Sequence, residues 1–360
     1  MKKILFCCES VFQLFNAINL TLRSVSGDSC DVVLSDTTDF SKISGELRNK
    51  KIFNKVIDLA FGDFQRSFFL KDIKTQNDIF LNPDNYFSAY KDFDLYDAIF
   101  IPLDHIGWKL LYYSQLKRGS KPEIFFYEEG LRSYTVNNDY TDQNERFNHG
   151  EYGEKSFFRS VKGMYLYEPS LFGLKTQIPM MKIPKISKED CELRDGLSCF
   201  EKEAIPKEKF VFFEESLFAD HQRTNDFMLF ERIANQIGKN DLVVKCHPRS
   251  KINRFSDNGY KIMEKLTTPW EIQIMDNDLS DKVFFTIIST ASFTPFLIFN
   301  DSCKAIHINQ LFDGYSPLLN DKGFMNFYNK ALDFCNSRNR CVFRPSNFEE
   351  LRSLIEWFSL

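Results

Sequence analysis

Short, uninterrupted apolar segments alternate along this chain with segments whose apolar residues recur at helical spacing. Residues 4–8 form one such apolar segment, and in residues 11–22 the apolar side chains return at helical spacing. An uninterrupted apolar run is typical of a strand that is buried on both faces of a sheet. Strands that alternate with helices favour βαβ units, in which neighbouring strands run parallel. The alternation therefore predicts an α/β fold built on parallel sheets.

The same pattern places most of the predicted elements. Strands are predicted at residues 4–8, 31–34, 52–59, 97–102, 123–127, 210–213, 242–246, 283–288 and 304–308. Helices are predicted at residues 11–22, 106–116 and 225–238, and from a capping box at residues 346–349 onward. Turn signals and prolines break the alternation at residues 136–195, which we interpret as connecting structure. The 360 residues are too many for one ordinary core, so we predict two domains, residues 1–185 and residues 186–360.

Composition and charge exclude several classes of protein. With 43% hydrophobic and 27% charged residues, the chain has the profile of a globular protein and not of a disordered one. The net charge of −4 argues against a protein that binds nucleic acid through its overall charge. No apolar run approaches the roughly 20 residues that a membrane-spanning helix needs. Because Glu9 and Gln13 interrupt the apolar start, we interpret it as a first strand and not as a signal peptide.

The cysteine spacing and the absence of nucleotide-binding motifs limit the kinds of metal and cofactor site that this chain could form. The nine cysteines are scattered and form no CxxC pair, so we expect reduced thiols in a cytosolic protein and no zinc site. The sequence contains neither a GxGxxG nor a Walker motif, which leaves dinucleotide and P-loop chemistry unsupported. Asp-X-Asp triplets at residues 92–94 and 276–278 could hold a divalent metal, but neither follows an evident strand. We predict that the protein binds no metal ion.

Two adjacent carboxylates follow the predicted strand at residues 123–127. Ligands of parallel α/β folds bind at the carboxyl ends of the strands, which makes Glu128, Glu129 and Gly130 candidates for a site. One carboxylate could act as a general base while its neighbour orients a substrate or holds a loop, and the glycine permits a tight turn. The alternative is a solvated acidic turn without a chemical role.

A histidine follows the predicted strand at residues 242–246 directly. Pro248 forces an extended backbone on His247 and so fixes its imidazole at the strand end, with Arg249 close by. A histidine beside an arginine suits an anionic leaving group such as a phosphate. Asp220 precedes this motif by about one helix, and neighbouring strand ends would let its carboxylate face His247. The alternatives are a structural histidine and a loop or cap carboxylate.

Two hydroxyl residues follow the predicted strand at residues 283–288. Ser289 and Thr290 precede an apolar, helix-like run to residue 299. Their hydroxyls, together with the free N–H groups of a helix N-terminus, would form a phosphate site. Both residue types are also ordinary helix caps, which is the alternative interpretation.

These three motifs, at residues 128–130, 247–248 and 289–290, resemble in their order those of the bacterial sialyltransferases. The opening KILFCCESVFQLFNAINL also resembles the start of the family 52 glycosyltransferases, which include lipooligosaccharide and capsule sialyltransferases. The resemblance spans most of the chain. It implies a GT-B fold, with two Rossmann-like domains whose parallel sheets face each other across a cleft. The N-terminal domain, residues 1–185, would lie on the acceptor side and residues 186–360 on the donor side.

The resemblance further implies inverting transfer from CMP-sialic acid, without a cofactor or a metal ion. His247 would act on the departing CMP phosphate as an acid or a hydrogen-bond donor. Donor binding would involve Gly130, Pro248, Arg249, Ser289 and Thr290.

The base and the acceptor residues are less well defined. Related families place the base in the acid-acid-Gly motif, and within family 52 an acid before His-Pro is also a candidate. The base therefore stays open between Glu128, Glu129 and Asp220. Ser10 and Gln13 lie between the first predicted strand and the first helix, and their position alone makes them candidates for acceptor binding.

Taken with the resemblance, the motifs lead to a cytoplasmic sialyltransferase that modifies lipooligosaccharide or capsule, with a galactose-terminated acceptor. A UDP-sugar-dependent glycosyltransferase of the same fold and a non-catalytic glycan-binding protein are the alternatives. The expected partners are a nucleotide sugar and a glycan, with no nucleic acid. Peripheral membrane contact and a homodimer are left open.

Overall fold

The computed structural model describes residues 1–130, 132–135, 154–201, 205–247, 250, 253–263, 268–300, 303–338 and 341–360. The chain forms two compact units. Unit 1 comprises Met1–Pro184 and Glu189–Cys199, and unit 2 comprises Lys185–Lys188 and Phe200–Leu360. Pro248 and Arg249 lie outside the described residues.

Unit 1 is built on a parallel sheet. Its strands are β1 (Lys3–Cys8), β2 (Ser29–Ser35), β3 (Lys55–Leu59), β4 (Ala98–Ile101), β5 (Glu123–Tyr127), β6 (Val161–Leu166) and β7 (Met180–Lys182). The seven strands pair in the order β3-β2-β1-β4-β5-β6-β7, and every pair is parallel. Its helices are α1 (Val11–Arg23), α2 (Ser41–Lys50), α3 (Gly62–Phe68), α4 (Ile73–Leu81), α5 (Pro83–Tyr86), α6 (Ile106–Lys117), α7 (Arg132–Thr135), α8 (Glu154–Arg159) and α9 (Cys191–Gly196).

Unit 2 contains a second parallel sheet. Its strands are β8 (Phe210–Phe213), β9 (Leu242–Lys245), β10 (Lys261–Ile262), β11 (Val283–Thr286), β12 (Lys304–His307) and β13 (Val342–Phe343). The six strands pair in the order β10-β9-β8-β11-β12-β13, again all parallel. Its helices are α10 (Asp226–Ile237), α11 (Arg254–Asp257), α12 (Trp270–Asp276), α13 (Thr294–Ile298), α14 (Lys322–Arg338) and α15 (Phe348–Ser359). No helix in the described ranges is both long enough and apolar enough to cross a membrane.

The predicted α/β class is confirmed, because every predicted strand overlaps an observed one in a parallel sheet. The reason is burial on both faces. In β1 all residues from Ile4 to Cys8 are buried, and the Phe6 ring centroid lies 4.6 Å from that of Phe100 in β4. Uninterrupted apolar segments are therefore required at these positions.

The interpretation of residues 136–195 as connecting structure was wrong, because β6 and β7 extend the first sheet within this stretch. Lys162 and Gly163 interrupt the apolar run of β6, which hides the strand in the sequence. Strand β7 and the residue before it approach Gly163 closely: an added Cβ atom would lie 2.1 Å from Cε, the flexible end of the Met181 side chain, and 3.2 Å from the Pro179 carbonyl oxygen.

Helix α9, placed by the sequence in the second domain, belongs to unit 1. An ion pair between Asp190 and Arg23 joins this segment to α1. Gly196 packs closely against Leu22, with 3.1 Å between the position of an added Cβ atom and the leucine Cδ1 atom. The chain thus enters unit 2 at Lys185, returns for Glu189–Cys199 and crosses again at Phe200.

The strand orders locate the candidate sites. In the first sheet the strand order reverses between β1 and β4, because the strands before β4 are added on one side and the later strands on the other. In the second sheet the order reverses in the same way between β8 and β11. Ligands of open α/β sheets bind outside the carboxyl ends of the strands at such a switch point. Ligand sites are therefore expected at the segments after β1, β4, β8 and β11.

Candidate functional site

Glu128 directly follows β5 and is held by hydrogen bonds from distant parts of unit 1. Its buried carboxylate Oε2 accepts from the Tyr134 hydroxyl at 2.6 Å and from the backbone N–H of Tyr167 at 2.8 Å. Its carbonyl oxygen accepts from the Asn16 side chain in α1 at 2.8 Å. Glu128 thus ties the end of β5 to α1, to α7 and to the segment after β6.

Glu129, the next residue, has a different environment. Its side chain is half-buried, and no described residue donates a hydrogen bond to its carboxyl group. Burial raises the pKa of Glu129 to about 7, although the nearby Arg132 and His105 act to lower it. A carboxyl group with this pKa can accept a proton near neutral pH. Gly130 follows with φ +121°, a backbone conformation that suits glycine at this turn.

A histidine–carboxylate pair lies at the switch point of the first sheet. Glu9 follows β1, and both of its carboxylate oxygens lie within 2.9 Å of Nδ1 of His105, which precedes α6. Because a carboxylate only accepts hydrogen bonds, Nδ1 carries the proton. Nε2 of His105 makes no hydrogen bond with the described residues. Glu9 and His105 both act electrostatically on Glu129, Glu9 raising its pKa and His105 lowering it.

Sequence reasoning missed both members of this pair. Glu9 was used only as evidence against a signal peptide, and His105 was not considered. Their shared position after neighbouring strands is the signal that could have identified them, but it depends on knowing that β1 pairs with β4.

Ser10 and Gln13, the predicted acceptor residues, form a capping box at the start of α1. The Gln13 Oε1 atom accepts from the backbone N–H of Glu9 at 2.6 Å, and the Ser10 hydroxyl oxygen accepts from the backbone N–H of Gln13 at 3.3 Å. Both side chains therefore hold the strand–helix connection. Their binding of an acceptor stays a prediction.

In unit 2, a buried ionic network supports His247. The His247 backbone N–H donates to Glu214 Oε2 at 3.0 Å. The other oxygen of Glu214 accepts from Arg254 Nη2 at 3.2 Å, and Arg254 also binds the Asp226 carboxylate through two hydrogen bonds. The carboxylates of Glu214 and Asp226 are almost completely buried. This network fixes the backbone of His247 to the ends of β8 and α10.

Asp220, the predicted partner of His247, is exposed in the turn after β8, where its backbone N–H donates to the carbonyl of Ser216. The carboxylate that contacts the His247 backbone belongs to Glu214. The sequence shows Glu214 directly after a strand, but its link to His247 depends on the pairing of β8 with β9.

Glu215 shapes the segment after β11. Its Oε1 atom accepts from the Thr286 hydroxyl at 2.8 Å and from the Ile288 backbone N–H at 3.0 Å. Burial raises the pKa of Glu215, while the Ile288 N–H and the Thr286 hydroxyl act to lower it. The Thr286 hydroxyl oxygen in turn accepts from the Ser289 backbone N–H at 2.7 Å. Glu215 therefore positions the segment that carries Ser289 and Thr290.

Ser289 and Thr290 are half-buried at the start of a short 3-10 turn. The Ser289 hydroxyl oxygen accepts from the Ala291 backbone N–H at 3.4 Å, while the Thr290 hydroxyl makes no hydrogen bond with the described residues. The predicted helical run is divided into this turn and the five-residue α13. Such short elements have a smaller dipole than the helix we expected, so the hydroxyls and local N–H groups would contribute more to anion binding.

A buried histidine, His307, helps to hold the turn that begins at Ser289. The Ser292 hydroxyl donates to the Ser289 carbonyl at 2.7 Å and therefore accepts from His307 Nε2 at 3.0 Å. Nδ1 of His307 then accepts from the Tyr328 hydroxyl at 2.8 Å. Burial lowers the pKa of His307 to about 3, so its imidazole stays neutral. This residue has no motif in the sequence that would reveal its role.

A further buried carboxyl group lies on α12. Burial raises the pKa of Glu271 to about 7, while Lys245 and the Thr294 hydroxyl act to lower it. The neighbouring Trp270 donates from its indole N–H to the Ala291 carbonyl at 3.0 Å. Glu271 and Trp270 thus belong to the same edge of unit 2 as Ser289 and Thr290.

One aspartate of each Asp-X-Asp triplet is engaged in other contacts. Asp94 binds Lys3 and Lys55, and the Asp278 carboxylate accepts hydrogen bonds from Ser280. Within the part of the chain that the structure describes, no group of three or more His, Cys, Asp or Glu side chains is arranged to hold a metal ion. The absence of a metal requirement stays a prediction.

Comparison with known proteins shows the fold and no closer relationship. No protein-family model and no curated protein sequence matches the chain. The structure of UGT89C1 from Arabidopsis thaliana complexed with UDP is 12% identical and covers 99% of this chain and 90% of its own, with a TM-score of 0.52. An alpha/beta-galactoside alpha-2,3-sialyltransferase from Photobacterium phosphoreum is 12% identical over 95% of this chain and 98% of its own, with a TM-score of 0.49. The two Rossmann-like sheets and the likeness to the UGT89C1 structure identify a GT-B type α/β fold.

Proposed function

We propose that this protein is a cytoplasmic, metal-independent, inverting sialyltransferase. In this proposal it transfers sialic acid from CMP-sialic acid to a galactose-terminated glycan of a bacterial surface, lipooligosaccharide or capsule. The observation that supports an enzyme most strongly is Glu129, a half-buried carboxyl group with a pKa of about 7 that receives no hydrogen bond from a described residue. The order of the three motifs supports sialic acid as the transferred sugar.

Glu129 is the proposed base, and Glu128 is a positioning residue. The Glu128 Oε2 atom accepts hydrogen bonds from Tyr134 and Tyr167, so the fold occupies the lone pairs of this oxygen and holds the side chain in place. Glu129 accepts none from the described residues, and its raised pKa makes it a stronger base than an exposed glutamate. The Glu9–His105 pair contributes to this environment.

The proposed reaction is a single displacement at C2 of the sialic acid. The bond from C2 to the CMP phosphate oxygen breaks with its electron pair, and CMP leaves. The acceptor hydroxyl oxygen forms the new bond to C2, and its proton passes to the Glu129 carboxylate. One displacement inverts the configuration at C2, by analogy with the inverting glycosidases.

Unit 2 would stabilise the negative charge that develops on CMP. His247 would donate a hydrogen bond or a proton to the departing phosphate, and the Ser289 and Thr290 hydroxyls would bind its oxygens. The Glu214–Arg254 contact and the buried His307 would keep these groups in place before the donor binds. Charge stabilisation by pre-oriented donors of this kind requires no metal ion.

The donor is tested by measuring nucleotide release from the purified protein without added metal. We expect CMP release from CMP-sialic acid that depends on a galactose-terminated acceptor, and no UDP release from UDP-galactose or UDP-glucose. His247→Asn should lower turnover by about 10²-fold or more, because it removes the proposed acid while retaining a polar side chain.

Two results would redirect the proposal. Acceptor-dependent release of UDP would identify a UDP-sugar-dependent glycosyltransferase and overturn the assignment of the donor. Binding of a glycan without release of either nucleotide would identify a glycan-binding protein and overturn the assignment as an enzyme.

A further inference from the structure

The Glu9–His105 pair leaves one nitrogen of the histidine without a partner among the described residues. Both carboxylate oxygens of Glu9 lie within 2.9 Å of Nδ1 of His105, whereas Nε2 makes no hydrogen bond with the described residues. The His105 side chain is 25% exposed and that of Glu9 is 9% exposed, so the imidazole is accessible to a ligand while the carboxylate is nearly buried. A ring that is fixed through one nitrogen presents the other nitrogen in a defined direction.

Hydrogen bonds from two elements hold the backbone of Glu9. Its N–H donates to Gln13 Oε1 at 2.6 Å, and its carbonyl oxygen accepts from the Thr37 and Thr38 hydroxyls at 3.0 and 2.7 Å. The start of α1 and the segment after β2 therefore fix the residue that orients the imidazole. Gln13 acts on His105 in this way, through Glu9.

The backbone of His105 is fixed at the start of α6. Its carbonyl oxygen accepts from the backbone N–H groups of Trp108 and Lys109, at 3.1 and 3.2 Å. Gly107 lies directly against the ring of Phe61, where an added Cβ atom would be 1.7 Å from the ring Cζ atom. The position of Nε2 is thus set before a ligand binds, which lowers the entropy cost of binding.

His105 lies beside the proposed base. It follows β4 and Glu129 follows β5; these two strands pair, and neighbouring strands lie about 4.8 Å apart. His105 also acts electrostatically on Glu129. A sugar hydroxyl whose proton passes to Glu129 would therefore bring the hydroxyl on an adjacent ring carbon towards His105.

The charges around the imidazole favour a neutral ligand over an anion. Glu9 and Glu129 are acidic, and Asp104 pairs with Lys109 at 3.2 Å. Together with Arg132, which acts on Glu129, these contacts involve three acidic and two basic side chains. A hydroxyl group suits this environment, because it can donate to Nε2 of a neutral imidazole or accept from the Nε2–H of a protonated one.

We propose that Nε2 of His105 binds a hydroxyl of the acceptor sugar, the one next to the hydroxyl that reacts, and that Glu9 positions the imidazole for this contact. The inference deepens the proposed function and rests on its galactose-terminated acceptor. His105 then selects sugars that carry two adjacent hydroxyls, since an analogue without the second hydroxyl leaves Nε2 without a partner. The alternative is a structural pair that only joins the segments after β1 and β4.

Titration of the full chain with methyl β-galactoside and its monodeoxy analogues, without a sugar donor and followed by ligand-observed NMR, tests the inference. We expect the analogue that lacks the hydroxyl bound by Nε2 to bind the wild type about tenfold more weakly than the parent sugar. The ¹⁵N signal of His105 Nε2 should shift with the parent sugar and not with this analogue. His105→Asn, which keeps an amide near the position of Nδ1 and removes the group at Nε2, should bind both sugars equally weakly.

The matched control is His105→Gln, whose amide lies near the position of Nε2 and which loses the contact with Glu9. It should retain part of the affinity and still distinguish the analogue from the parent sugar. A structural pair predicts the reverse order, with His105→Asn close to the wild type and His105→Gln impaired. That reverse order, or a wild type that binds no galactoside, would overturn the inference.

Turnover with the same sugars tests which hydroxyl is involved. The analogue that lacks the reacting hydroxyl should support no acceptor-dependent CMP release, and the analogue identified through His105 should lack the neighbouring hydroxyl. A hydroxyl that is not a neighbour would contradict the proposed arrangement. Sugar binding requires no donor, so galactoside binding without CMP release would overturn the proposed reaction and leave the contact with His105 in place.

Discussion

Two pairs of adjacent glutamates, one in each unit, directly follow a strand, and the pairs differ in whether both side chains accept hydrogen bonds. In unit 1, Glu128 accepts hydrogen bonds from Tyr134 and Tyr167, while no described residue donates to the Glu129 carboxyl group. In unit 2 both members are bound, Glu214 by the His247 backbone and an arginine, and Glu215 by a hydroxyl and an N–H group after β11. The same dipeptide at the same kind of position therefore produces a candidate base in one unit and two structural carboxylates in the other.

The two pairs differ because residues distant in the sequence supply hydrogen-bond donors to three of these glutamates and not to Glu129. Tyr167 is 39 residues from Glu128, Arg254 is 40 residues from Glu214, and Thr286 is 71 residues from Glu215. A carboxylate that accepts several hydrogen bonds is fixed in place, and these bonds act to lower its pKa, as they do at Glu215, where burial still raises it. A half-buried carboxyl group without such donors keeps a raised pKa and retains lone pairs for a substrate. The chemical role of each of two adjacent glutamates therefore depends on the hydrogen-bond donors around its side chain.

The largest stability effect is expected in the network of unit 2. Arg254→Met would leave the buried carboxylates of Glu214 and Asp226 without their cation, so the free energy of unfolding should fall by about 3–5 kcal/mol. Urea unfolding would measure this loss. Arg223→Met is the matched control, since Arg223 pairs with Asp313 at an exposed site and should cost about 0.5 kcal/mol or less. Equal effects of the two variants would show that the network does not stabilise the folded protein beyond an exposed ion pair.

The pH dependence of stability should separate Glu129 from an ordinary surface acid. Burial raises the pKa of Glu129 to about 7, so between about pH 4.5 and pH 7 the folded protein keeps a proton that the unfolded chain releases. Stability therefore falls as the pH rises through this window, by up to about 3 kcal/mol. Glu129→Gln removes this contribution, and the variant should become progressively more stable than the wild type as the pH rises.

Glu271 extends this test to unit 2, because its pKa is also raised to about 7 by burial. Glu271→Gln should show the same direction of pH dependence, and the effects of the two variants should add in the double variant. Urea unfolding at a series of pH values would measure both. A difference between Glu129→Gln and the wild type that stays constant with pH would contradict the burial of this carboxyl group.

The central strands of both sheets could be predicted because each is an uninterrupted apolar run. The Phe6 segment and the Val283 segment are examples, and both are buried. β6 was missed because Lys162 and Gly163 break its pattern, and β7 has only three residues. Strands such as these, near or at the edge of the sheet, are defined by pairing with a neighbour, which a local pattern does not contain.

The candidate site could be predicted as a set of strand ends but not as a set of contacts. The sequence correctly located Glu128, Glu129, Ser289 and Thr290 after strands of parallel sheets. It could not decide between the two adjacent glutamates, because the decision depends on Tyr134 and Tyr167. It also missed the contact between Glu9 and His105, which exists only because β1 and β4 are neighbours.

The most direct test of the contrast is to measure turnover and unfolding for Glu129→Gln and Glu215→Gln side by side, near neutral pH. We predict that Glu129→Gln lowers the rate of acceptor-dependent CMP release by about 10²–10⁴-fold and leaves stability equal or higher. Glu215→Gln should lower the free energy of unfolding by about 1–3 kcal/mol, because it disturbs the hydrogen bonds after β11. Wild-type turnover in Glu129→Gln, or a loss of stability in that variant as large as in Glu215→Gln, would contradict the account.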